Sequence, residues 1–309
     1  MKKILSIMVV LALTLCPLAG LAQSDSAEKI QIIATLFPQY DFARQIGGDR
    51  VEVSMLLPVG SESHNFEPSP RDMLGIQSAD LFIYTGPEME PWAARVLDGL
   101  GAGQGPMVLN GSEGIELVES AHDEAAGETD HQHGLDPHFW LDMRLAQHFV
   151  NAIRDALIAL DPAGEELYTE NARAYCGRLQ QLDDAFMEAA QNGARSELIF
   201  GGRFAFGYFV RRYNLSYRAA YDSCAAGAEP SVKVVAGLIK EIQEQKIPVI
   251  YYEELADPKV ARSIAEQTGA QMRLLSSAHN VTKEQMEAGV GFLDIMNDNL
   301  EAIREGLNG

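Results

Sequence analysis

The sequence predicts an α/β protein of two lobes, each a parallel sheet flanked by helices, joined by one long linker helix. Three observations carry this. Apolar, β-branched runs alternate with helical stretches from residue 30 onward, the pattern of parallel sheets covered on both faces. Residues 142–192 interrupt that alternation with purely helical spacing, after which it resumes. The second helical run in the interruption, 163–193, would reach roughly 45 Å at 1.5 Å per residue. One small lobe does not need such length, so this run reads as a rigid connector.

The elements follow in order. "MKKILSIMVVLALTLCPLAGLAQS" has a basic start, an apolar run broken by Pro17, and small residues ending at Ala22, which predicts a signal peptide at 1–22. The alternative is lipid attachment at Cys16, which Leu15 before it and Pro17 after it disfavour. Removing 22 of the 309 residues leaves 287, enough for two lobes with their own cores. In the first, "KIQIIATLF", "VEVSMLLPV", "DLFIYTG" and "PMVLN" read as strands. "FPQYDFARQIGG" and "RDMLGIQSA" read as helices, the former stopped by Gly47-Gly48. Residues 112–135 lack apolar periodicity and read as a mobile acidic loop. "RLAQHFVNAIRDALIAL" is a helix halted at Asp161-Pro162. After the linker, "SELIFGG", "LSYRAAY", "IPVIYYEEL" and "AQMRLLSS" read as strands. "PSVKVVAGLIKEIQEQK", "PKVARSIAEQTG" and a last run from 283 to about 307 read as helices. The division expected is a first lobe at 23–162, the linker helix at 163–193 and a second lobe at 194–309.

The net charge of −20 argues against a nucleic-acid partner and favours solubility, with a weak long-range preference for cations. Beyond the leader no apolar run is long enough to cross a bilayer. Cys176 and Cys224 remain after its removal; one disulfide is open to an exported chain, but two cysteines make no disulfide framework. H-E-x-x-H, G-x-S-x-G and the phosphate-loop pattern are absent. "GLGAGQG" follows a helix and lacks dinucleotide spacing, so it reads as a turn.

The histidines carry the chemistry. His64, in "SESHNFEPSP", follows a strand, where ligands of parallel sheets collect; the alternative is a solvated side chain. His138, in "LDPHFWLDM", has Asp136 and Asp142 close enough to hold its second ring nitrogen, as a metal-bound imidazole requires; the alternative is a packed loop histidine bonded to backbone. His279, in "LLSSAHNVTKEQ", stands at another strand's carboxyl end, with Asn280 or Thr282 placed to cap the next helix. His148 lies on a helix and reads as structural. His122, His131 and His133 belong to the acidic loop, which can capture a cation weakly or serve as a solvated linker.

Taken together, "SHNFEPSPRD", "DPHFWLDM", "YTENARAYCGRLQQLDDAF", "RFAFGYFVRRYNLSY", "EPSVKVVAGLIKEI", "YYEELADPKVARSIAEQTGA" and "MNDNLEAI" resemble the substrate-binding proteins of bacterial zinc and manganese ABC importers. The resemblance covers nearly the whole mature chain, and the histidine-bearing loop before "DPHFW" is similar to the metal-rich loop of zinc members. It implies two α/β lobes joined by a long helix, a metal ion between them, and His64 and His138 as ligands from the first lobe. The second lobe departs from the pattern. Where the family has histidine or glutamate before "AFGYF", this chain has Arg203, a guanidinium without a lone pair to give. His279 is the main expected replacement and Cys224 the second, with Glu229 and Glu253 as weaker oxygen donors; Arg203 could instead pair with an acid.

Nitrogen and sulfur donors favour Zn²⁺ over Mn²⁺ or Fe²⁺. The expected function is an exported, non-enzymatic Zn²⁺ receptor, periplasmic or lipid-anchored and monomeric, delivering its ion to an ABC permease. A secreted zinc hydrolase using Glu253 as base, or an adhesin, are the alternatives from other classes.

Overall fold

A computed structural model describes residues 28–100, 105–119, 134–221 and 230–309. The expected signal peptide at 1–22, Cys16, Cys224, Glu229 and the loop histidines His122, His131 and His133 lie outside them.

The first sheet is built from β1 (Ile30–Ala34), β2 (Val51–Met55), β3 (Leu81–Tyr84) and β4 (Met107–Asn110), all parallel in the order β2-β1-β3-β4. Helices α1 (Phe37–Gly47), α2 (Pro70–Ser78) and α3 (Trp92–Gly99) connect them. The sequence marks α2 well: Ser69 accepts from the Asp72 N–H and Asp72 accepts from the Ser69 N–H, with Pro70 leading the first turn. Two helices without strands follow, α4 (Met143–Leu160) and α5 (Glu165–Asn192). The second sheet repeats the first: β5 (Glu197–Phe200), α6 (Gly207–Tyr213), β6 (Ser216–Ala219), α7 (Val232–Gln245), β7 (Val249–Tyr252), α8 (Lys259–Thr268) and β8 (Gln271–Leu274), parallel in the order β6-β5-β7-β8. Helices α9 (Lys283–Ala288) and α10 (Phe292–Asn308) end the chain. The expected fold class is therefore the observed one.

The 28 residues of α5 extend roughly 42 Å. The helix packs against α1 and α4 on one side and α6 and α10 on the other, as a connector should. The two lobes do not, however, keep separate cores. One apolar cluster runs from Ile32, Phe42 and Phe149 through Tyr175 and Phe186 on α5 to Phe209 and Leu307. Separate clusters cover only the outer faces: Ile76, Phe82 and Trp92 on the first lobe, Ile199, Leu238 and Ile264 on the second. Each large side chain buried across this seam contributes about 1.5–3 kcal/mol, so relative movement of the lobes is opposed by a shared interior.

Two elements depart from the sequence reading. The final helix is broken. Gly289 at φ 72 closes α9, and Asp294 accepts from the Gly291 N–H to start α10. Periodicity persists across the break, so the pattern alone reads through it. Helix α6 lies in an aromatic run that shows little amphipathic spacing: Gly207, Tyr208, Phe209, Val210 and Tyr213 are buried, and Arg211 alone is exposed.

Candidate metal centre

Open parallel sheets bind ligands outside the carboxyl ends of their strands, where the strand-to-helix loops lie. Here that geometry delivers His64 after β2, Arg203 after β5, Glu253 and Glu254 after β7 and His279 after β8. His138 arrives from the segment between β4 and α4. The ends of that segment are tied together: Glu119 and Leu135 form an antiparallel bridge, the Asp136 N–H donates to the Val118 carbonyl at 2.8 Å, and the Val118 N–H donates to the Tyr208 hydroxyl at 3.1 Å.

His64, His138 and His279 meet. One ring nitrogen of each lies within 4.8 Å of the other two. The ring centroids stand 5.6 Å (His64–His138), 5.2 Å (His64–His279) and 4.7 Å (His138–His279) apart. A tetrahedral zinc ion with bonds of about 2.0–2.1 Å needs donors roughly 3.4 Å apart, within small side-chain movements of this arrangement.

Carboxylates orient two of the rings. The His138 imidazole is 1% exposed, and its Nδ1 lies 2.6 Å from Asp136 Oδ1, which also accepts the His138 backbone N–H at 2.9 Å. A carboxylate only accepts, so Nδ1 carries the hydrogen and Nε2 presents a lone pair. His279 uses a relay. Its Nδ1 bonds to Ser277 Oγ, and the Ser277 hydroxyl and N–H both donate to Glu254. That again leaves Nε2 as the acceptor. Both Nε2 atoms are buried and, among the described residues, have no hydrogen-bond partner. Orphaned buried acceptors are costly unless a ligand satisfies them, and these two point to a ligand that accepts lone pairs.

Although it follows β8, His279 is bound to the first lobe through its backbone. The Phe37 N–H donates to the His279 carbonyl at 3.1 Å and the Gly60 N–H to the Val281 carbonyl at 3.0 Å. Trp140 Nε1 donates to the Ser277 carbonyl at 2.8 Å, and Asn280 Nδ2 donates to the carbonyls of Pro58 and Ser61 at 2.7 and 3.0 Å. Ala278 adopts φ 58 to make this crossing, a strained conformation for a residue with a Cβ, held where the surrounding bonds over-determine it.

Burial holds the His64 and His279 imidazoles in the form that binds metal. It draws His64 down to about 3, helped by the neighbouring positive charge that His279 and His138 would carry. Burial lowers His279 as well, against the pull of Glu254. Neutral rings meet a cation without first losing a proton. Glu254 is driven upward by burial, yet its bonds to His279 and Ser277 win and hold it below the usual range.

The opposite wall is charged. Arg203 Nε donates to both Glu253 oxygens at 3.0 and 3.2 Å, and a terminal nitrogen donates to Glu62 Oε2 at 2.7 Å. Burial pushes the Glu253 carboxyl up, and Arg203 only partly offsets it. For Glu62 the guanidinium outweighs burial, and the carboxyl lies below its ordinary value. Between the walls is a cavity of about 30 Å³, room for one small ion or water.

The remaining expected residues fall elsewhere. Asp142 caps α4 and pairs with Arg144 at 2.7 Å, leaving Asp136 alone on His138. His148 is exposed on α4 and bonds to the Glu113 carbonyl at 3.2 Å. Thr282, not Asn280, caps the following helix. Glu253 is not an open oxygen donor, because Arg203 takes it up. Cys176, on α5, is a half-buried free thiol whose pKa burial raises. Glu62, Glu254 and Ser277 are absent from the sequence reading. "YYEEL" did place two acids at a strand's carboxyl end, but nothing distinguished Glu254 from Glu253.

A family model described as the periplasmic component A of zinc-uptake complexes, ZnuA, matches residues 32–306. The high-affinity zinc uptake system protein ZnuA of Bacillus subtilis (strain 168) is 35% identical over 287 residues, 92% of this chain and 89% of the relative. The zinc-binding lipoprotein AdcA of Streptococcus pneumoniae (strain R6) is 34% identical over 313 residues, 99% of this chain; the chain spans 61% of that longer relative. Among solved structures, the metal-dependent lipoprotein YcdH from Bacillus subtilis superposes with a TM-score of 0.77 at 34% identity, covering 90% of this chain and 99% of that one. The Zn(II)-bound ZnuA-like domain of Streptococcus pneumoniae AdcA gives 0.76 at 31% identity, covering 91% of this chain and 100% of that one.

Proposed function

The chain belongs to the family of periplasmic zinc-uptake components, and from that premise we propose that His64, His138 and His279 hold the zinc ion it carries. It is the zinc-binding, substrate-binding protein of an ABC importer. The observation that carries the ligand assignment is the pair of buried, unpartnered Nε2 atoms on His138 and His279, facing His64. Three imidazole donors suit Zn²⁺, which accepts nitrogen in a tetrahedron; Mn²⁺ would ask for more carboxylate oxygen. Cys224 and the auxiliary histidines His122, His131 and His133 remain proposals of a fourth donor and of weak secondary capture.

Glu253, which a hydrolase would need free as a base, is held by Arg203 at 3.0 Å. This supports reading the chain as a carrier and not an enzyme. Residues 23–162 and 194–309 are the proposed lobes, with 163–193 as the linker. Among the described residues no helix is long and apolar enough to cross a membrane. We place the chain outside the cytoplasm as a monomer that docks on its permease, after cleavage at Ala22 or by a lipid at Cys16.

Isothermal titration of zinc into the metal-free exported chain tests the site. The expected result is one tight equivalent per chain that His138→Ala and His279→Ala each abolish. Wild-type affinity in both variants would reject the triangle.

A further inference from the structure

We propose that Glu62, Arg203 and Glu253 form an ionic latch between the lobes, so that the loops after β5 and β7 of the second lobe retain the metal through a charge pair and not through a ligand. This rests on the zinc-site reading above and adds how that site is closed.

The second lobe's β5 and β7 loops stand across the cavity from the histidines and offer a guanidinium. Arg203 joins Glu253 of its own lobe, at 3.0 Å, to Glu62 of the first-lobe loop after β2, at 2.7 Å. A guanidinium between two carboxylates is a charge-assisted arrangement with defined geometry. It also has little slack. Gly201 at the end of β5 lies so close to α8 that a Cβ there would stand 2.5 Å from the Ala261 Cα, which fixes the root of the Arg203 loop.

The latch acts on the site through His64. Glu62 stands two residues before it, and its second oxygen accepts the His64 backbone N–H at 3.3 Å. The His279 segment needs no such help, because five backbone and side-chain bonds already fix it to the first lobe. The triangle is thus anchored largely to one lobe, and the latch sets how closely the loops after β5 and β7 cover it, within the movement the shared interior allows. The side chains are 17% (Arg203), 39% (Glu62) and 24% (Glu253) exposed, open enough for salt to reach them. Arg203 is therefore a positioning residue, working through Glu62.

Stopped-flow release of zinc from the loaded full chain into a chelator tests this with Glu62→Gln, Arg203→Gln, their double variant and the charge swap Glu62→Arg with Arg203→Glu. Each single variant should release zinc about tenfold faster, the loss of one charge-assisted bond. The double should match the singles, and the swap should recover part of the loss. Wild-type release should quicken toward about 1 M salt, where the Debye length is about 3 Å; the single variants should respond far less. Release within twofold of wild type in Glu62→Gln, or additive effects in the double, would overturn the latch. The zinc reading is judged separately: His138→Ala retaining zinc like wild type sinks that reading and leaves the latch to a metal-free measurement. There, spin labels on exposed positions of α2 and α8 should show a wider inter-lobe distance in Glu62→Gln and Arg203→Gln, and identical distributions would again overturn it.

Discussion

The two walls of the metal cavity solve different problems. The histidine wall is buried, and a carboxylate or a serine relay orients the His138 and His279 rings. The Arg203 wall is charged, half-exposed and built from longer side chains. Recognition of a divalent ion needs lone pairs already desolvated and in the right tautomer, since reorganising them at the moment of binding would cost affinity. Closure needs an interaction strong enough to hold and weak enough to break. A half-exposed ion pair, worth on the order of 1 kcal/mol, has that character, whereas another buried ligand would not.

The largest expected effect lies on the histidine wall. His138→Ala should weaken zinc binding by more than the 10–100-fold typical of losing an outer partner, as read by competition with a calibrated chelator. His279→Ala should match it. Equal affinities for His138→Ala and wild type would erase the distinction between the walls. Removing the orienting groups comes next. Asp136→Asn and Glu254→Gln should each cost about 10–100-fold, and Ser277→Ala should resemble Glu254→Gln because it cuts the same relay. A Ser277→Ala variant that binds normally would mean that Glu254 orients His279 by itself.

The histidine wall should also show itself in acid. His64 falls from 6.5 to about 3 in the fold, and His279 falls as well. The unfolded chain therefore binds more protons between pH 6.5 and 3, so the metal-free protein should lose stability as pH falls through that window. Thermal melts of His64→Gln should show a shallower slope there; an unchanged slope would place the acid sensitivity elsewhere. The smallest effect concerns the loop. Glu119 and Leu135 already pair across its ends, so deleting 120–134 should leave the tight site within about twofold, surface changes away from buried contacts being the milder class. Calorimetry showing loss of the single tight equivalent would mean the loop supplies a principal ligand.

Much of this was legible in the sequence. Strand–helix alternation gave the two sheets and their parallel sense, and the length of 163–193 anticipated α5. Three histidines after strands or beside Asp136 were recognisable by residue type and place. The pairings across the chain were not. Arg203 announces that it cannot ligate, but nothing local says that Glu62, 141 residues away, will meet it. The Ser277 relay depends on a strained backbone at Ala278, and sequence pattern does not report that. The shared interior was hidden for the same reason: Phe186 and Leu307 read as core residues of separate elements, and only the packing unites them.

The most direct test is diffraction from zinc-loaded crystals at wavelengths on either side of the zinc absorption edge. The expected result is one anomalous peak about 2.0–2.1 Å from a ring nitrogen of each of His64, His138 and His279, with Arg203 still bridging Glu62 and Glu253. A peak held by the carboxylates of Glu62 or Glu253, or by the histidines of 120–133 with the triangle empty, would contradict the account.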